Sequence, residues 1–155
     1  MPTISPFLWF DDNAEQAMKF YLSIFKGGKV LSVSRMGPGK KAKVMGVSFR
    51  ILGQTFHGLN GGPHFKFNEA VSMYVSCKTQ KDVDYYWKKL TSGGGSESRC
   101  GWLKDKFGLS WQIIPDVLPK LLSHPDPAKA QRAMQAMMGM AKIEIEGLKR
   151  AAAGK

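Results

Sequence analysis

The sequence predicts an α+β fold built from two βαβββ modules in tandem and closed by C-terminal helices. Three observations lead there. A capped amphipathic helix directly follows an apolar run near the N-terminus, the same pattern returns near residue 70, and short strand-like runs follow each helix. At 155 residues and 43% hydrophobic content, the chain suffices for one core or for two small modules sharing one. A single domain over 1–155 is expected.

Residues 3–10, TISPFLWF, form an apolar run. With no basic start and no small-residue cleavage site, the N-terminus reads as a strand rather than a signal peptide. Asn13-Ala14-Glu15-Gln16 then supplies a capping pattern, a cap residue followed three positions later by Gln. Ala14, Ala17, Met18, Tyr21, Leu22 and Phe25 fall on one face of the helix it starts. Gly27-Gly28 ends that helix. The runs VLSVSRM (30–36), KVMGVSFRIL (43–52) and QTFHGLN (54–60) predict three antiparallel strands, with a tight turn at Gly53.

From residue 70 the grammar repeats. AVSMYVSC precedes a cap pattern, Thr79-Gln80-Lys81-Asp82, then Val83, Tyr86, Trp87 and Leu90 at helical spacing, then Gly93-Gly94-Gly95. SRCGWL (98–103) and LSWQII (109–114) follow as strands. A shift of 66 residues places Pro6 on Ser72, Asn13 on Thr79, Tyr21 on Trp87 and Ile24 on Leu90. The repeat therefore spans 3–60 and 69–114, and 115–155 is a helical tail. In that tail Asp126-Pro127 caps a helix carrying Ala130, Ala133, Met134, Met137 and Met138 on one face, and KIEIEGLKRAAA forms a second. The methionine stripe reads either as core packing or as a partner-binding surface, and a second copy of the chain satisfies both, so a homodimer is expected.

One helix covers one face of a sheet, so the other faces of a curved mixed sheet would line a cleft. Trp9, Tyr74, Trp102 and Trp111 come from strand segments and suit a flat, aromatic or anionic small molecule. Trp9, opposite in parity to Pro6, is expected in the core instead. The formal net charge is +11. Its one acid-free basic stretch, Lys26 to Lys43, is broken by glycines and is not arranged as a helical stripe, so a solvated surface is favoured over nucleic-acid binding. No apolar run spans a bilayer. Cys77 and Cys100 form no CxxC pair, and two reduced thiols in a cytoplasmic protein are expected.

The stretches FLWFDDNAEQAMKFY, LNGGPHFKFNEAVS and CGWLKDKFGLSWQIIP, spread over residues 3–116, resemble the PhnB-like branch of the vicinal-oxygen-chelate superfamily. That superfamily contains glyoxalases, bleomycin-resistance proteins and extradiol dioxygenases, and this branch often carries the label 3-demethylubiquinone-9 3-methyltransferase. The resemblance implies a divalent ion held by His and Glu from four strands. At the matching positions stand Ser5 or Pro6, Asn60, Ser72 and Gln112, which are neutral or offer no ligand at all. Such donors hold a transition metal weakly, so no metal and no cofactor are expected. The alternative reading, a metal-dependent lyase or dioxygenase of the same superfamily, would require His57, His64, Glu69 or Asp105 to converge on the cleft in place of the lost ligands. The Gly-Gly-Pro turn of LNGGPHFKFNEA also has an ordinary purpose as a linker. Expected ligand contacts are Asn60, His64, Ser72, Tyr74, Trp102 and Gln112. A glycine-rich turn after a parallel strand, the usual seat of an adenosyl cofactor, is missing from the pattern, and no spacing singles out a catalytic nucleophile. Whether a reaction follows binding stays open.

Overall fold

The computed structural model describes residues 1–155. Residues Met1–Phe67 and Asn68–Lys155 form two compact units, each with its own four-stranded mixed sheet. The first unit runs β1 (Phe7–Phe10), α1 (Ala14–Ile24), β2 (Lys29–Arg35), β3 (Val44–Ile51) and β4 (Gln54–Asn60), in the sheet order β1-β4-β3-β2. Strand β1 lies parallel to β4, and the other pairs are antiparallel. The predicted turn at Gly53 is a two-residue hairpin in which Leu52 and Gly53 both have positive φ, 45° and 80°. Glycine takes that conformation freely; leucine is there because the hairpin twist requires it.

Helix α1 turns Ala14, Ala17, Met18, Tyr21 and Ile24 onto the sheet, where Leu8, Phe10, Val47, Phe49, Ile51 and Phe56 are buried. Phe49 and Phe56 stack with centroids 5.4 Å apart. Each such large side chain contributes roughly 1.5–3 kcal/mol on burial, so this layer dominates the unit's stability. The predicted cap works differently from the expectation. Asn13 makes no side-chain cap bond; instead the Ala14 amide donates to Asn60 Oδ1 at 2.9 Å, from the end of β4.

The second unit repeats the topology: β5 (Ser72–Cys77), α2 (Gln80–Thr91), β6 (Ser96–Glu97), β7 (Trp102–Lys104) and β8 (Ser110–Pro115), ordered β5-β8-β7-β6. Helices α1 and α2 start at Ala14 and Gln80, 66 residues apart. The strands are offset by 67, however, because buried Leu8 and Phe10 correspond to buried Val75 and Cys77. Ser72 therefore matches Ser5 rather than Pro6, and the loop between β1 and α1 is one residue longer. Thr79 caps α2 as expected, accepting from the Asp82 amide at 3.1 Å. SRCGWL is not one strand. Residues 98–101 turn through Cys100 and Gly101, both at positive φ, which leaves only Trp102 and Leu103 of it in β7, while β6 lies just before it. The following KDKFGLSW loop closes on buried Asp105, which accepts from the Phe107 and Leu109 amides and from Trp111 Nε1.

The tail forms α3 (Val117–Leu122), α4 (Pro127–Met138) and α5 (Ile145–Ala152). Ile114, Leu118, Ile143 and Leu148 make a buried cluster against which Ala136, Met137 and Met140 pack. Gln80 ties the tail to α2, donating to the Ile143 carbonyl at 3.0 Å and accepting from the Ile145 amide at 2.8 Å. Asp126 caps α4 through the Ala128 amide, with Pro127 in the first turn as the sequence predicts. The methionine stripe thus divides. Met137 packs inward, whereas Met134 and Met138 are exposed.

Candidate functional site

Strand alternation leaves one face of each sheet free of α1 or α2. On the first sheet this face carries Phe7 and Trp9 from β1, His57 and Leu59 from β4, and Ser48 from β3, with Ser32 and Ser34 beside them on β2. Ser48 and His57 stand opposite each other in register, and Ser48 Oγ lies 2.7 Å from His57 Nδ1. A depression of about 250 Å³ lies here, lined by Phe7, Ser34, Ser48 and His57 among others. His57 is a half-buried, hydrogen-bonded strand residue.

Trp9 is not under the helix. Leu8 and Phe10 take the core positions, and strand parity puts Trp9 on the open face, where Nε1 donates to the Gly62 carbonyl at 2.9 Å. Its indole meets Phe65 edge-on at 4.9 Å and His64 at 6.5 Å. Gly61 is glycine for a steric reason: a Cβ there would fall 2.3 Å from Trp9 Cζ2. The Gly61 and Gly62 amides also donate to the Phe10 and Asp11 carbonyls. The Gly-Gly-Pro segment is therefore a fitted seat for an indole, with His64 exposed at its rim.

Asn60 is occupied at both ends of its amide. Oδ1 accepts from Ala14, and Nδ2 donates to the Val44 carbonyl at 3.1 Å. Glu69 pairs with Lys104, and that ammonium holds its carboxyl below the ordinary carboxylate range. Asp105 is consumed by its loop. No three His, Cys, Asp or Glu side chains gather as a metal site. Of the four superfamily ligand positions, Ser5 is half-buried, Asn60 is committed to α1 and β3, and Ser72 and Gln112 bond to each other. These neutral oxygens do not suit a transition metal.

The open face of the second sheet is laid out in two registered rows. Ser72, Ser110, Lys104 and Ser96 are paired across β5, β8, β7 and β6; one step on stand Tyr74, Gln112 and Trp102. Gln112 Nε2 donates to Ser72 Oγ at 2.8 Å, which joins the rows. Tyr74 is 55% exposed, and partial burial raises its phenol above the ordinary value of 10.0. Beyond these rows, on the same face, stands Ile114, which the tail covers. Four of the six expected contacts, Ser72, Tyr74, Trp102 and Gln112, thus share one face, whereas Asn60 and His64 belong to the first unit. Sequence reasoning missed Ser110 and Lys104. Strand alternation from Gln112 and Trp102 is the signal that would have found them.

The cysteines are set apart from this chemistry. Cys77 is buried, which pushes its thiol up to about 11, so it stays protonated and unreactive near neutral pH.

The sequence model of a family described as 3-demethylubiquinone-9 3-methyltransferase matches residues 2–114. No curated protein matches the chain. Among solved structures it is similar to a PhnB protein of Bacillus cereus carrying the same methyltransferase description. The two are 35% identical with a TM-score of 0.66, over 74% of this chain and 99% of that one. A protein of Pseudomonas aeruginosa shares the fold at 17% identity and a TM-score of 0.61, over 75% of this chain and 100% of that one. The fosfomycin resistance protein FosX of Listeria monocytogenes shares it at 12% and 0.53, over 77% and 97%. No helix is long and apolar enough to cross a membrane.

Proposed function

Since the chain belongs to the 3-demethylubiquinone-9 3-methyltransferase family, the PhnB-like branch of the vicinal-oxygen-chelate superfamily, we propose that it binds a small ring-shaped molecule without the superfamily's metal. One observation carries this reading. Tyr74 and Trp102 flank Gln112 in register beside a row of hydroxyls, an apolar surface with a few fixed polar groups of the kind that orients small ligands. The Ser72–Gln112 bond holds the amide in place before a ligand arrives, which lowers the entropic cost of binding.

Methyl transfer has less support in the residues. The turns after the parallel strands β1 and β5 are Asp11-Asp12-Asn13 and Lys78-Thr79, with no glycine to admit a cofactor phosphate or adenosyl group. Gly93-Gly94-Gly95 follows a helix instead. We also place the protein in the cytoplasm as a homodimer. Exposed Met134 and Met138 on α4 support the second copy, and sedimentation at the mass of one chain would remove that part of the proposal.

The test of binding is Gln112→Ala with 4-hydroxybenzoate as the probe, followed by ligand-observed NMR. Gln112 is half-buried and bonds only Ser72, so the variant should weaken binding about tenfold with little change in melting temperature. A large loss of stability with binding intact would make the Ser72–Gln112 pair structural and sink the proposal.

A further inference from the structure

Ser110 is 1% exposed, and its hydroxyl is the buried side-chain polar atom that has no hydrogen-bond partner. Buried polar groups in folded proteins are nearly always paired, because leaving one unpaired forfeits its hydration without return. Folding therefore has no evident use for this hydroxyl. Its surroundings do: Ser110 lines a depression of about 230 Å³ together with Glu69, Ser96, Ser98, Trp102 and Lys104. Lys104 neighbours it in register, and its ammonium is tied to Glu69 from the segment before β5.

We propose that this depression is a binding site for a neutral, polyhydroxylated ring of the pyranoside class, with Ser110 as its buried recognition hydroxyl. The inference rests on the small-molecule reading of the same sheet face and names the ligand's chemistry. Charge gives an anion no advantage. The one cation of the lining, Lys104, is already paired with Glu69, so the site offers no net positive charge. The polar groups instead match alcohols. Serine hydroxyls donate and accept, the Glu69 carboxylate accepts, and the Lys104 ammonium donates. Glu97 takes no part, because its carboxylate turns to the helix side of the sheet, where Trp87 Nε1 donates to Oε1 at 2.7 Å. Trp102 offers an aromatic face for the C–H side of a sugar ring. The volume lies below the roughly 300 Å³ at which pockets for drug-sized ligands begin, so one ring fits.

The Lys104–Glu69 pair stands beside Ser110. Both side chains are well exposed, 38% and 62%, and exposed ion pairs are weak. A ligand hydroxyl can therefore displace the pair and bond to either member.

The test uses the full chain and saturation-transfer NMR with methyl β-glucopyranoside, methyl β-galactopyranoside and myo-inositol at millimolar concentration, alongside 4-hydroxybenzoate. A pyranoside is expected to bind, and Ser110→Ala to weaken it about tenfold while the free variant melts at the same temperature as wild type or higher. The exposed Ser96→Ala variant should weaken binding less. Pyranoside binding that survives Ser110→Ala unchanged overturns the assignment of Ser110, and no transfer to any of the three polyols overturns the ligand class. In that second case, 4-hydroxybenzoate binding that depends on Trp102 keeps the small-molecule reading standing, and its failure removes both.

Discussion

Replacing Asn60 by alanine separates a structural role from a binding role at one residue. Its Oδ1 serves the first amide of α1, and its Nδ2 serves the Val44 carbonyl beside it in the sheet. Loss of a helix cap costs about 1 kcal/mol. The Val44 carbonyl, on a buried residue, loses its side-chain donor, which adds about 1 kcal/mol more. The sum, about 2 kcal/mol, corresponds to a fall of about 4–8 °C in Tm for a chain of this size. Urea unfolding should show a lower midpoint with an unchanged slope. Hydrogen exchange supplies the local readout, since the Ala14 amide should lose protection while the amides of α2 keep theirs. Binding of 4-hydroxybenzoate should stay as in wild type. A variant within about 0.5 kcal/mol of wild type, with the Ala14 amide still protected, would refute the cap argument. A stable variant that no longer binds would restore Asn60 as a ligand contact.

Two further perturbations test other parts of the framework. Gly61→Ala forces a methyl group into the Trp9 indole and should cost about 1–3 kcal/mol, with the ring displaced from Gly62; unchanged chemical shifts at Trp9 Nε1 would show that the seat is not tight. The Asp84–Lys142 pair, 2.7 Å apart, predicts a pH dependence of tail docking. The Lys142 bond holds Asp84 below its ordinary 3.8, so its contribution is full above that value and is lost as pH falls through the folded value beneath it. Lys142 is raised above 10.5, chiefly by the same bond, so its share is present below that pH and lost as pH rises past the raised value. With the two side chains 31% and 49% exposed, the pair is worth no more than about 1 kcal/mol. The deficit of Asp84→Asn against wild type should therefore shrink in acid, and a deficit constant from neutral pH to well below 3.8 would contradict the assignment.

Helices α1 and α2 were legible because each buries a stripe whose spacing is written into the chain, as Ala17, Met18, Tyr21 and Ile24 in the first and Val83, Trp87 and Leu90 in the second. Strand parity was harder to read. The run TISPFLWF is apolar at nearly every position, so alternation could not say whether Trp9 or Leu8 faces the helix; neighbours distant in sequence decide that. The same distance hid the true cap of α1, because Asn60 lies 46 residues from Ala14. A local pattern at Asn13 looked complete without it. In SRCGWL the positive φ of Cys100 breaks a segment that composition alone joins.

The two units show what the fold itself needs. Both keep a helix on one sheet face and a parallel pairing of first and last strands, so residues serving those features recur with similar character. Their open faces differ. The first carries Phe7, His57 and Ser48, and its indole is seated against a glycine turn; the second carries serines, Gln112, Tyr74 and Trp102. Sequence reasoning located Ser72 and Gln112 because they fall at superfamily ligand positions, and it passed over Ser110 because a serine in a strand carries no pattern of its own. What marks Ser110 is an absence visible only in three dimensions, a buried hydroxyl with nothing to bond. Such a group weakens the fold slightly unless a ligand completes it, which is why its removal is expected to separate stability from binding.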